Sequence, residues 1–340
     1  MRHATLLHLV LLICVNANAQ RILHFTKTSG FDHQTRGVSY TLFQSIATEL
    51  GATVDDDATA ASFTDLDGLL EYDVIVFSNT SGADLFDLQQ RSNFEAFVAQ
   101  GGRVLGIHAA SDTYRHSTAN GNNTGVWDFY PELIGASVQE NPNHVDGTPQ
   151  YSMDHIGLHA STANLPDPWV KNEEYYYWEG GYYRPDNMEV LRVEETVGPN
   201  GQVNSYDAAR PMSWYRELPT GNRIFYTALG HSTENYTTDM LFRTHLSDAL
   251  AWLLDGTTAV QDHTANGLMV LTNPADGSVT IHSDIGYSNS LLILMDATGR
   301  IVHRERIVAF PMVVNMHPFP PGLYTLAFEG LLNRHFAIMH

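Results

Sequence analysis

The stretch Arg103-Val-Leu-Gly-Ile-His108-Ala-Ala-Ser-Asp112-Thr113 decides the fold of this chain. Its apolar segment, 104–107, predicts a buried strand, and the histidine that follows lies at the sharp turn where strand-turn-helix folds present a reactive side chain. A second stretch, Arg223-Ile-Phe-Tyr-Thr-Ala-Leu-Gly230-His231-Ser-Thr-Glu234, has the same pattern. Two histidines at the ends of two buried strands predict a single site.

Strand and helix patterns alternate on either side of the first stretch. Strands are predicted at 21–26 and 73–78, and helices at about 38–50 and 84–100. Nearly continuous apolar strands alternating with helices predict an α/β fold, a doubly wound parallel sheet with helices on both faces. Ligands of such sheets bind beyond the carboxyl ends of the strands, where His108 and His231 are expected.

The segment between the two histidines has an irregular composition. Residues 114–220 are rich in Asn, Gly, Pro and aromatics, with short extended pieces at 189–195 and 211–217. A long insertion in a compact domain is usually functional, so this segment is predicted to form the walls and lid of a pocket. A strand at 224–228 and a helix at about 239–254 then close a domain that spans 20–256.

His108 has the chemistry for proton transfer or metal binding, because a neutral imidazole does either near neutral pH. If a helix begins at the turn, Asp112 lies on the same face and can orient the ring or share a metal. His33, in the first strand-to-helix loop, is expected to overlook the same rim. The alternative is that His108 is a hydrogen-bonded core residue, that Asp112 caps the helix, and that His33 faces water.

The segment Asn172-Glu-Glu-Tyr-Tyr-Tyr-Trp178 places acidic and aromatic residues side by side. Aromatic ring faces cover the apolar C–H patches of a sugar, while a carboxylate accepts hydroxyl hydrogen bonds or removes a proton. Glu174, Tyr175 and Trp178 are therefore candidates for a sugar site. The alternative is an edge strand whose aromatics pack the sheet.

Together with Thr26-Lys-Thr-Ser-Gly-Phe-Asp-His33, these stretches resemble the ThuA-like (trehalose utilisation) family over roughly residues 21–256. The resemblance implies the flavodoxin-like fold of class I glutamine amidotransferases. Those enzymes hold a cysteine at the position that matches His108, so glutaminase and cysteine-peptidase chemistry are excluded here. Their downstream His-x-Glu pair is approximated by His231 and Glu234 with one extra residue, which allows a charge-relay pair. Glu173-Glu174 replaces the family's Asp-Glu.

The resemblance implies a small carbohydrate ligand: a disaccharide, a glycoside or an oxidised (keto) sugar. The predicted roles divide the candidates into three groups: catalytic His108, His231 and Glu174; substrate-binding His33, Asp112, Tyr175, Trp178 and Glu234; and metal-binding His108, Asp112 and His231, for one divalent ion such as zinc. Two rival hypotheses are a non-catalytic carbohydrate-binding module on the same scaffold and a metal-dependent hydrolase with a His/Asp site.

Three other histidines of the insertion, His144, His155 and His159, are left outside the predicted site. The pair at 155 and 159 has metal-ligand spacing, but Gly157 lies between them and no helical pattern surrounds them. The sequence has neither a Gly-rich phosphate loop after a strand nor a Gly-x-Ser-x-Gly turn. A nucleotide cofactor and serine hydrolysis are therefore not expected.

Composition and the N-terminal segment indicate where the protein is located and which partners it is expected to have. The chain has 340 residues and a formal net charge of −20, which disfavours nucleic acid as a partner. Residues 1–19 have the form of a signal peptide, with Arg2, an apolar run and Ala17-Asn-Ala19, so the protein is expected to be secreted or at the cell surface, via the periplasm. The single cysteine, Cys14, lies in this segment, which excludes disulfides afterwards. No later apolar run is long enough for a membrane span.

Residues 267–340 change to short β-rich segments with turn signals, after a predicted linker at 257–266. They predict a small antiparallel β-sandwich. The order of an Asn-Pro strand, an Asp-x-x-Gly turn and a Pro-x-Gly-x-Tyr segment resembles the C-terminal sorting domain of type IX secretion, which implies that secretion machinery as a partner. An ordinary carbohydrate-binding or adhesion sandwich is the alternative.

Overall fold

The computed structural model describes residues 19–116, 126–218 and 220–254, together with parts of the C-terminal region at 268–271, 277–283, 291–296, 300–320, 322–328 and 335–339. The predicted signal peptide, apart from residue 19, and the predicted linker at 257–266 lie outside the described residues. So do residues of two predicted turns, 272–276 and 297–299. These predictions stay predictions.

Residues 21–254 form one central sheet with helices around it. Its strands are β1 (Arg21–Phe25), β2 (Thr53–Asp57), β3 (Val74–Ser78), β4 (Arg103–Ile107), β5 (Gln150–His155), β6 (Trp169–Asn172), β7 (Met188–Val193), β8 (Arg210–Glu217) and β9 (Arg223–Thr227). The α-helices are α1 (Arg36–Glu49), α2 (Leu66–Leu69), α3 (Leu88–Ala99), α4 (Phe129–Ile134), α5 (Thr233–Thr237) and α6 (Met240–Leu254). Short 3-10 helices span Ala61–Phe63, His108–Asp112, Ala160–Thr162 and Ser205–Asp207.

The strand order of the nine-stranded sheet is β2-β1-β3-β4-β9-β8-β7-β5-β6. The first five strands are parallel, in the order typical of flavodoxin-like folds. This confirms the predicted α/β class. The register pairs Ile107 with Thr227, so the residues after β4 and β9 leave the sheet side by side at its carboxyl edge.

The other four strands correct the prediction for the insertion. Residues 114–220 were expected to be mostly irregular, but they supply β5 to β8, which continue the sheet in antiparallel pairs. The extended pieces predicted at 189–195 and 211–217 correspond to β7 and β8. In β8 every residue except Glu217 is buried, because the strand lies between β7 and β9 inside the sheet.

The predicted helices and parallel strands agree with the structure to within a few residues, apart from one strand and one helix start. Strand β2 was not predicted because its sequence, Thr-Val-Asp-Asp-Asp, is polar; it lies at an edge of the sheet with alternate side chains exposed. Helix α3 begins later than predicted, since Asp87 and Gln90 form a capping box. Its buried face packs Phe94 against Phe63, Phe77 and Phe86.

The C-terminal region forms two small antiparallel sheets. Their strands are β10 (Leu268–Leu271), β11 (Ser278–Ser283), β12 (Leu291–Asp296), β13 (Ile301–Arg306), β14 (Met312–Asn315), β15 (Leu323–Phe328) and β16 (His335–Met339). The orders are β10-β11-β14 and β13-β12-β15-β16. Ile281 and Val314 from one sheet share an apolar core with Leu294 and Leu326 from the other, as predicted for a sandwich. Within the described ranges, no helix combines the length and the apolar character that crossing a membrane requires.

Candidate functional site

His108 occupies a strained turn directly after β4. Its φ is 47°, in the left-handed region that a non-glycine residue enters only when its surroundings hold it there. Tyr226 donates a hydrogen bond of 2.8 Å to the His108 carbonyl oxygen, and the backbone N–H of Ala109 donates to Asn79 Oδ1. The turn therefore fixes the buried ring at the carboxyl edge of the sheet.

The neighbours of the His108 ring determine its tautomer. Nδ1 lies 2.7 Å from the carbonyl oxygen of Ala228, which only accepts, so Nδ1 carries the proton. In the neutral ring Nε2 then has a lone pair, and it lies 3.1 Å from Glu174 Oε2. The Tyr176 hydroxyl, 2.9 Å away, is a donor for that lone pair, and a proton or a metal cation between Nε2 and the carboxylate would remove their repulsion. A backbone carbonyl on one ring nitrogen is also the usual support of a metal-binding histidine.

Four side chains converge at this point. His33 comes from the loop after β1, His108 from the turn after β4, Glu174 from the segment between β6 and β7, and His231 from the loop after β9. One nitrogen or oxygen atom from each lies within 4.8 Å of every other. We call these four residues the His/Glu cluster. Elements far apart in the sequence therefore supply three imidazoles and one carboxylate to one small volume.

Glu174 is ionised in this environment. Burial opposes its ionisation, but its close contacts with His108 and His231 outweigh burial and hold the pKa of its carboxyl well below the usual range. In turn, contact with Glu174 raises the pKa of His231 above its ordinary value. Nδ1 of His231 lies 3.3 Å from Glu174 Oε2, but the two atoms are not aligned as a hydrogen bond.

His33 is neutral. Burial, and next the nearby His108 and His231, lower its pKa to about 3. Its ring is edge-on to both histidines, with centroids 4.8 Å from His108 and 5.2 Å from His231. Its Nδ1 is buried and has no hydrogen-bond partner among the described residues. A buried polar atom left in this way is costly unless a further group binds it.

The donor set of the His/Glu cluster fits a divalent transition metal. Imidazole nitrogens are preferred by zinc, iron, nickel and copper, whereas magnesium and calcium prefer an all-oxygen shell. Ligands roughly 2.1 Å from a tetrahedral zinc lie about 3.4 Å from one another. The contacts of Glu174 Oε2 with His108 at 3.1 Å and His231 at 3.3 Å are close to that spacing.

Glu173 stabilises the two segments that carry His231 and Glu174. Its buried carboxylate accepts hydrogen bonds from the backbone N–H groups of Gly230, His231 and Glu174 and from the side-chain amide of Asn235. Lys171 lies 3.7 Å away, within ion-pair distance. Glu173 therefore fixes the loop that carries His231 against the segment that carries Glu174.

His144 adds a fourth imidazole beside the cluster. Its Nδ1 donates to the carbonyl oxygen of Val145 at 2.7 Å, and its Nε2 lies 3.1 Å from Glu174 Oε1. An isolated bridge between His144 and Tyr176 brings the residue here.

A cavity of about 160 Å³ opens beside the cluster. It is lined by Phe31, His33, Asp112, Val138, Asn143, His144, Glu174 and Tyr176. Phe31 is 66% exposed at its mouth, and Tyr176 forms an inner wall with its hydroxyl 2.9 Å from His108 Nε2. The Tyr176 and His108 rings are also stacked, with their centroids 4.4 Å apart. The cavity thus combines aromatic walls with several polar groups.

The sequence model of a known family, described as ThuA, trehalose utilisation, matches residues 21–253. The chain belongs to the ThuA family. Among solved structures, a ThuA-like protein from Bacteroides uniformis is 21% identical with a TM-score of 0.54, over 71% of this chain and 94% of its own. That likeness supports the fold.

Two other solved structures are similar to a lower degree. A ThuA-like protein from Parabacteroides merdae is 18% identical with a TM-score of 0.49, over 69% of this chain and 90% of its own. A glutamine amidotransferase from Thermotoga maritima is 10% identical with a TM-score of 0.41, over 70% and 99%. None of the curated proteins matches this chain.

In this ThuA family member the structure brings together four of the residues named from the sequence, His33, His108, Glu174 and His231. Asp112, predicted to share a metal with His108, is not in the cluster. The reason is local: the turn continues as a 3-10 helix with about three residues per turn, so position i+4 is no longer on the same face. Asp112 instead lines the cavity, bonded to Ser81 and Arg115. Burial raises the pKa of its carboxyl.

Three other predicted residues lie away from the cluster. Tyr175 is fully buried and donates to the carbonyl oxygen of Lys171, and Trp178 donates to that of Pro211 and packs on Trp214. The alternative for these aromatics, packing of the sheet, is what the structure shows. Glu234 is exposed on α5 and bonds Thr233, so the carboxylate beside His231 is that of Glu174.

Sequence reasoning missed Tyr176 and His144. A signal for the first was available: residues 173–178 run extended, and side chains then alternate between two sides. Tyr175 and Tyr177 point into the core while Tyr176 faces the cavity. His144 lies in an irregular loop whose sequence carries no periodicity, so its position depends on a bridge formed only in the folded chain.

Proposed function

We propose that this ThuA family member is a carbohydrate-active enzyme that holds one divalent transition metal in the His/Glu cluster and carries out acid–base chemistry on a sugar ring in the adjoining cavity. The observation that carries the proposal is the convergence of three imidazoles and an ionised carboxylate within 4.8 Å, with buried Nδ1 atoms of His33 and His231 left without hydrogen bonds among the described residues.

The cavity supports a sugar as the ligand. Its volume is about 160 Å³, and its lining combines aromatic rings with carboxylate, amide and imidazole groups. The exposed ring of Phe31 can cover an apolar sugar face, while Asp112 and Asn143 can bind hydroxyl groups. The family description, trehalose utilisation, points to the same class of ligand.

We assign a different role in such a reaction to each group around the cavity. A metal in the cluster would polarise a carbonyl or hydroxyl oxygen of the sugar. His144 lines the cavity with its Nε2 3.1 Å from Glu174 Oε1, and it is the group we assign as proton donor to a carbonyl or leaving oxygen. Tyr176 keeps its proton, because burial raises its pKa well above the ordinary value, and holds the inner wall.

The rival hypothesis, a non-catalytic sugar-binding module, relied on the aromatic row at 175–178. Tyr175 and Tyr177 are wholly buried and Trp178 packs against Trp214, so in that row Tyr176 is the residue that lines the cavity. A binding module would have to use the same cavity as the enzyme. The two hypotheses then differ in whether the bound sugar is changed.

A substrate screen tests the proposal. Disaccharides, methyl glycosides and their keto derivatives are incubated with metal-loaded protein, and products are followed by mass spectrometry. We expect turnover that a chelator abolishes and added metal restores. His144→Gln should lower kcat about 100-fold at unchanged metal content, whereas His155→Gln, outside the site, should not. Unchanged turnover in His108→Ala and His231→Ala would sink the assignment, and a sugar bound but recovered intact would favour the binding module.

We also propose that the protein is exported through its signal peptide at 1–19 and that the sandwich of 267–340 is a type IX sorting domain. The support is the order of motifs in the sequence and the sandwich form of the described strands. Deletion of 267–340 should leave the protein inside the producing cell. Unchanged secretion of the shortened chain would defeat the sorting role.

A further inference from the structure

Asn79 lies at the carboxyl end of β3, among the strand ends that carry the cluster. In the sheet order, β3 lies between β1 and β4, and β9 follows β4. The loops after β1, β4 and β9 supply His33, His108 and His231, whereas the loop after β3 supplies no member of the His/Glu cluster. Asn79 is buried and has a φ of 53°, in the left-handed region that asparagine enters more readily than most non-glycine residues. The sheet therefore places one buried amide side chain among three loops that carry imidazoles.

The side chain of Asn79 forms hydrogen bonds with all three of these loops. Its Oδ1 accepts a bond of 3.3 Å from the backbone N–H of Ala109, directly after the cluster histidine of the β4 turn. Its Nδ2 donates at 3.0 Å to the carbonyl oxygen of Gly230, directly before the cluster histidine of the β9 loop. Nδ2 also donates at 2.8 Å to Thr35 Oγ1, which follows the cluster histidine of the β1 loop by two residues. One side chain thus links the three loops close to each imidazole.

Gly230 is held from two sides. Its N–H donates to Glu173 Oε2 at 2.9 Å, and its carbonyl oxygen accepts from Asn79 and from the Tyr236 hydroxyl, which lies 3.0 Å away. Its φ is +117°, and a Cβ there would lie 2.8 Å from the Tyr236 oxygen, so glycine is favoured at this position. Since Glu173 directly precedes Glu174, the carboxylate of the cluster is tied to the same glycine as the imidazoles.

The partners of Asn79 require an amide. The Gly230 carbonyl oxygen only accepts and the Ala109 N–H only donates, so the side chain between them must donate on one side and accept on the other. An ionised aspartate has the same shape but no donor. In a buried network each lost hydrogen bond is costly, so the amide holds the three loops in one arrangement.

Resting on the proposed metal site, we propose that Asn79 is the positioning residue of the metal centre. Its amide holds the loops after β1, β4 and β9 so that the three cluster imidazoles converge on Glu174. It contacts neither metal nor substrate and acts through the loops that it joins. Loss of a partner that orients metal ligands from outside the coordination shell commonly lowers metal affinity by about 10- to 100-fold.

Metal binding by Asn79→Asp and Asn93→Asp, both made in the full-length protein, tests this inference. Asn93 is the matched control, because it is also buried and its Nδ2 donates to two backbone carbonyl oxygens, those of Phe63 and Thr64, away from the cluster. Metal-free protein is titrated with Co²⁺ against a competing chelator, and the visible spectrum of the bound ion reports its ligand geometry. We expect Asn79→Asp to bind Co²⁺ about 10-fold more weakly and with a changed spectrum, whereas Asn93→Asp keeps the wild-type affinity and spectrum. The added negative charge alone would favour a cation, so weaker binding reports the lost donor.

Tyr236→Phe decides the question if Asn79→Asp does not fold. It removes only a hydroxyl that lies 3.1 Å from Asn79 Nδ2 and 3.0 Å from the Gly230 carbonyl oxygen, and it should also change the Co²⁺ spectrum. Wild-type affinity and spectrum in the folded variant, or an equal loss in Asn93→Asp, would overturn the positioning role and leave the proposed metal site standing. A wild type that binds no Co²⁺ would overturn the metal site itself and the positioning role with it.

Discussion

At the scale of single residues, Glu174 is the centre of the site. Its two oxygens contact His108, His144 and His231, and it is the carboxylate of the cluster. Some side chains reach the site only through contacts that form after folding, and the sequence alone does not predict these residues. Four members of the site follow predicted strands or belong to a recognisable motif: His33, His108, Glu174 and His231. His144 lies in an irregular loop next to neither.

Replacing Glu174 by glutamine tests its electrostatic role in metal-free protein. The carboxylate raises the pKa of His231, so Glu174→Gln should lower that pKa. NMR titration of the histidine ring protons measures the change. An unchanged pKa of His231 would show that the raised value has another cause.

Glu173 is expected to be a stability residue. Three backbone N–H groups and one amide point at its carboxylate, so Glu173→Gln places an NH₂ group against donors and leaves at least one of them unsatisfied. We expect a loss of about 2 kcal/mol in the free energy of unfolding, measured in urea. Glu234→Gln, an exposed neighbour, is the control and should change it by less than about 0.5 kcal/mol. Equal effects of the two changes would refute the role.

At the scale of elements, the parallel half of the sheet was predictable and the antiparallel half was not. Strands β3 and β4 are continuous apolar runs with every described side chain at least half-buried, which a sequence pattern reveals. Strand β6 is only four residues long and alternates buried with exposed side chains, and β2 is polar. Such short or polar strands are stabilised by their neighbours in the sheet and leave little trace in the sequence.

Helix α6 carries a buried histidine that should make stability depend on pH. In the core, Nδ1 of His245 donates to the carbonyl oxygen of Ser161 and Nε2 contacts the Thr227 hydroxyl, and burial lowers the pKa of His245 to about 4. Its folded pKa lies below the unfolded value of about 6.5, so the unfolded chain binds the proton first. Stability should therefore fall as pH drops from 6.5 towards 4, by about 3 kcal/mol from this group.

Urea unfolding of metal-free protein between pH 4 and pH 7.5 measures this dependence. His245→Gln should be less stable near neutral pH but should lose less stability on acidification. His33, with a pKa of about 3, acts in the same direction and remains in both proteins. Parallel stability curves for wild type and variant would contradict the assignment to His245.

At the scale of the whole molecule, two apolar cores share no residues among those described. One spans the nine-stranded unit from Ile22 to Leu254, and the other lies in the sandwich. Since each core belongs to a continuous part of the chain, we expect each unit to fold by itself. The boundary near residues 257–266 was predicted because the alternation of strands and helices gives way there to short β-rich segments with turn residues.

Removal of residues 257–340 tests this independence. The shortened protein should keep the thermal transition of the nine-stranded unit, its metal and its sugar binding, and should lose one transition in scanning calorimetry. Loss of all cooperative unfolding in the shortened protein would show that the units depend on each other.

The measurement that tests the central claim most directly is the metal content of the purified protein, by elemental analysis, in wild type, His108→Ala and His155→Ala made without a histidine tag. His155 lies outside the cluster and controls for histidine loss in general. We predict about one transition-metal ion per chain in the wild type and in His155→Ala, and almost none in His108→Ala. A wild type that stays metal-free after incubation with zinc, iron and manganese salts, or a His108→Ala protein that keeps its metal, would contradict the account.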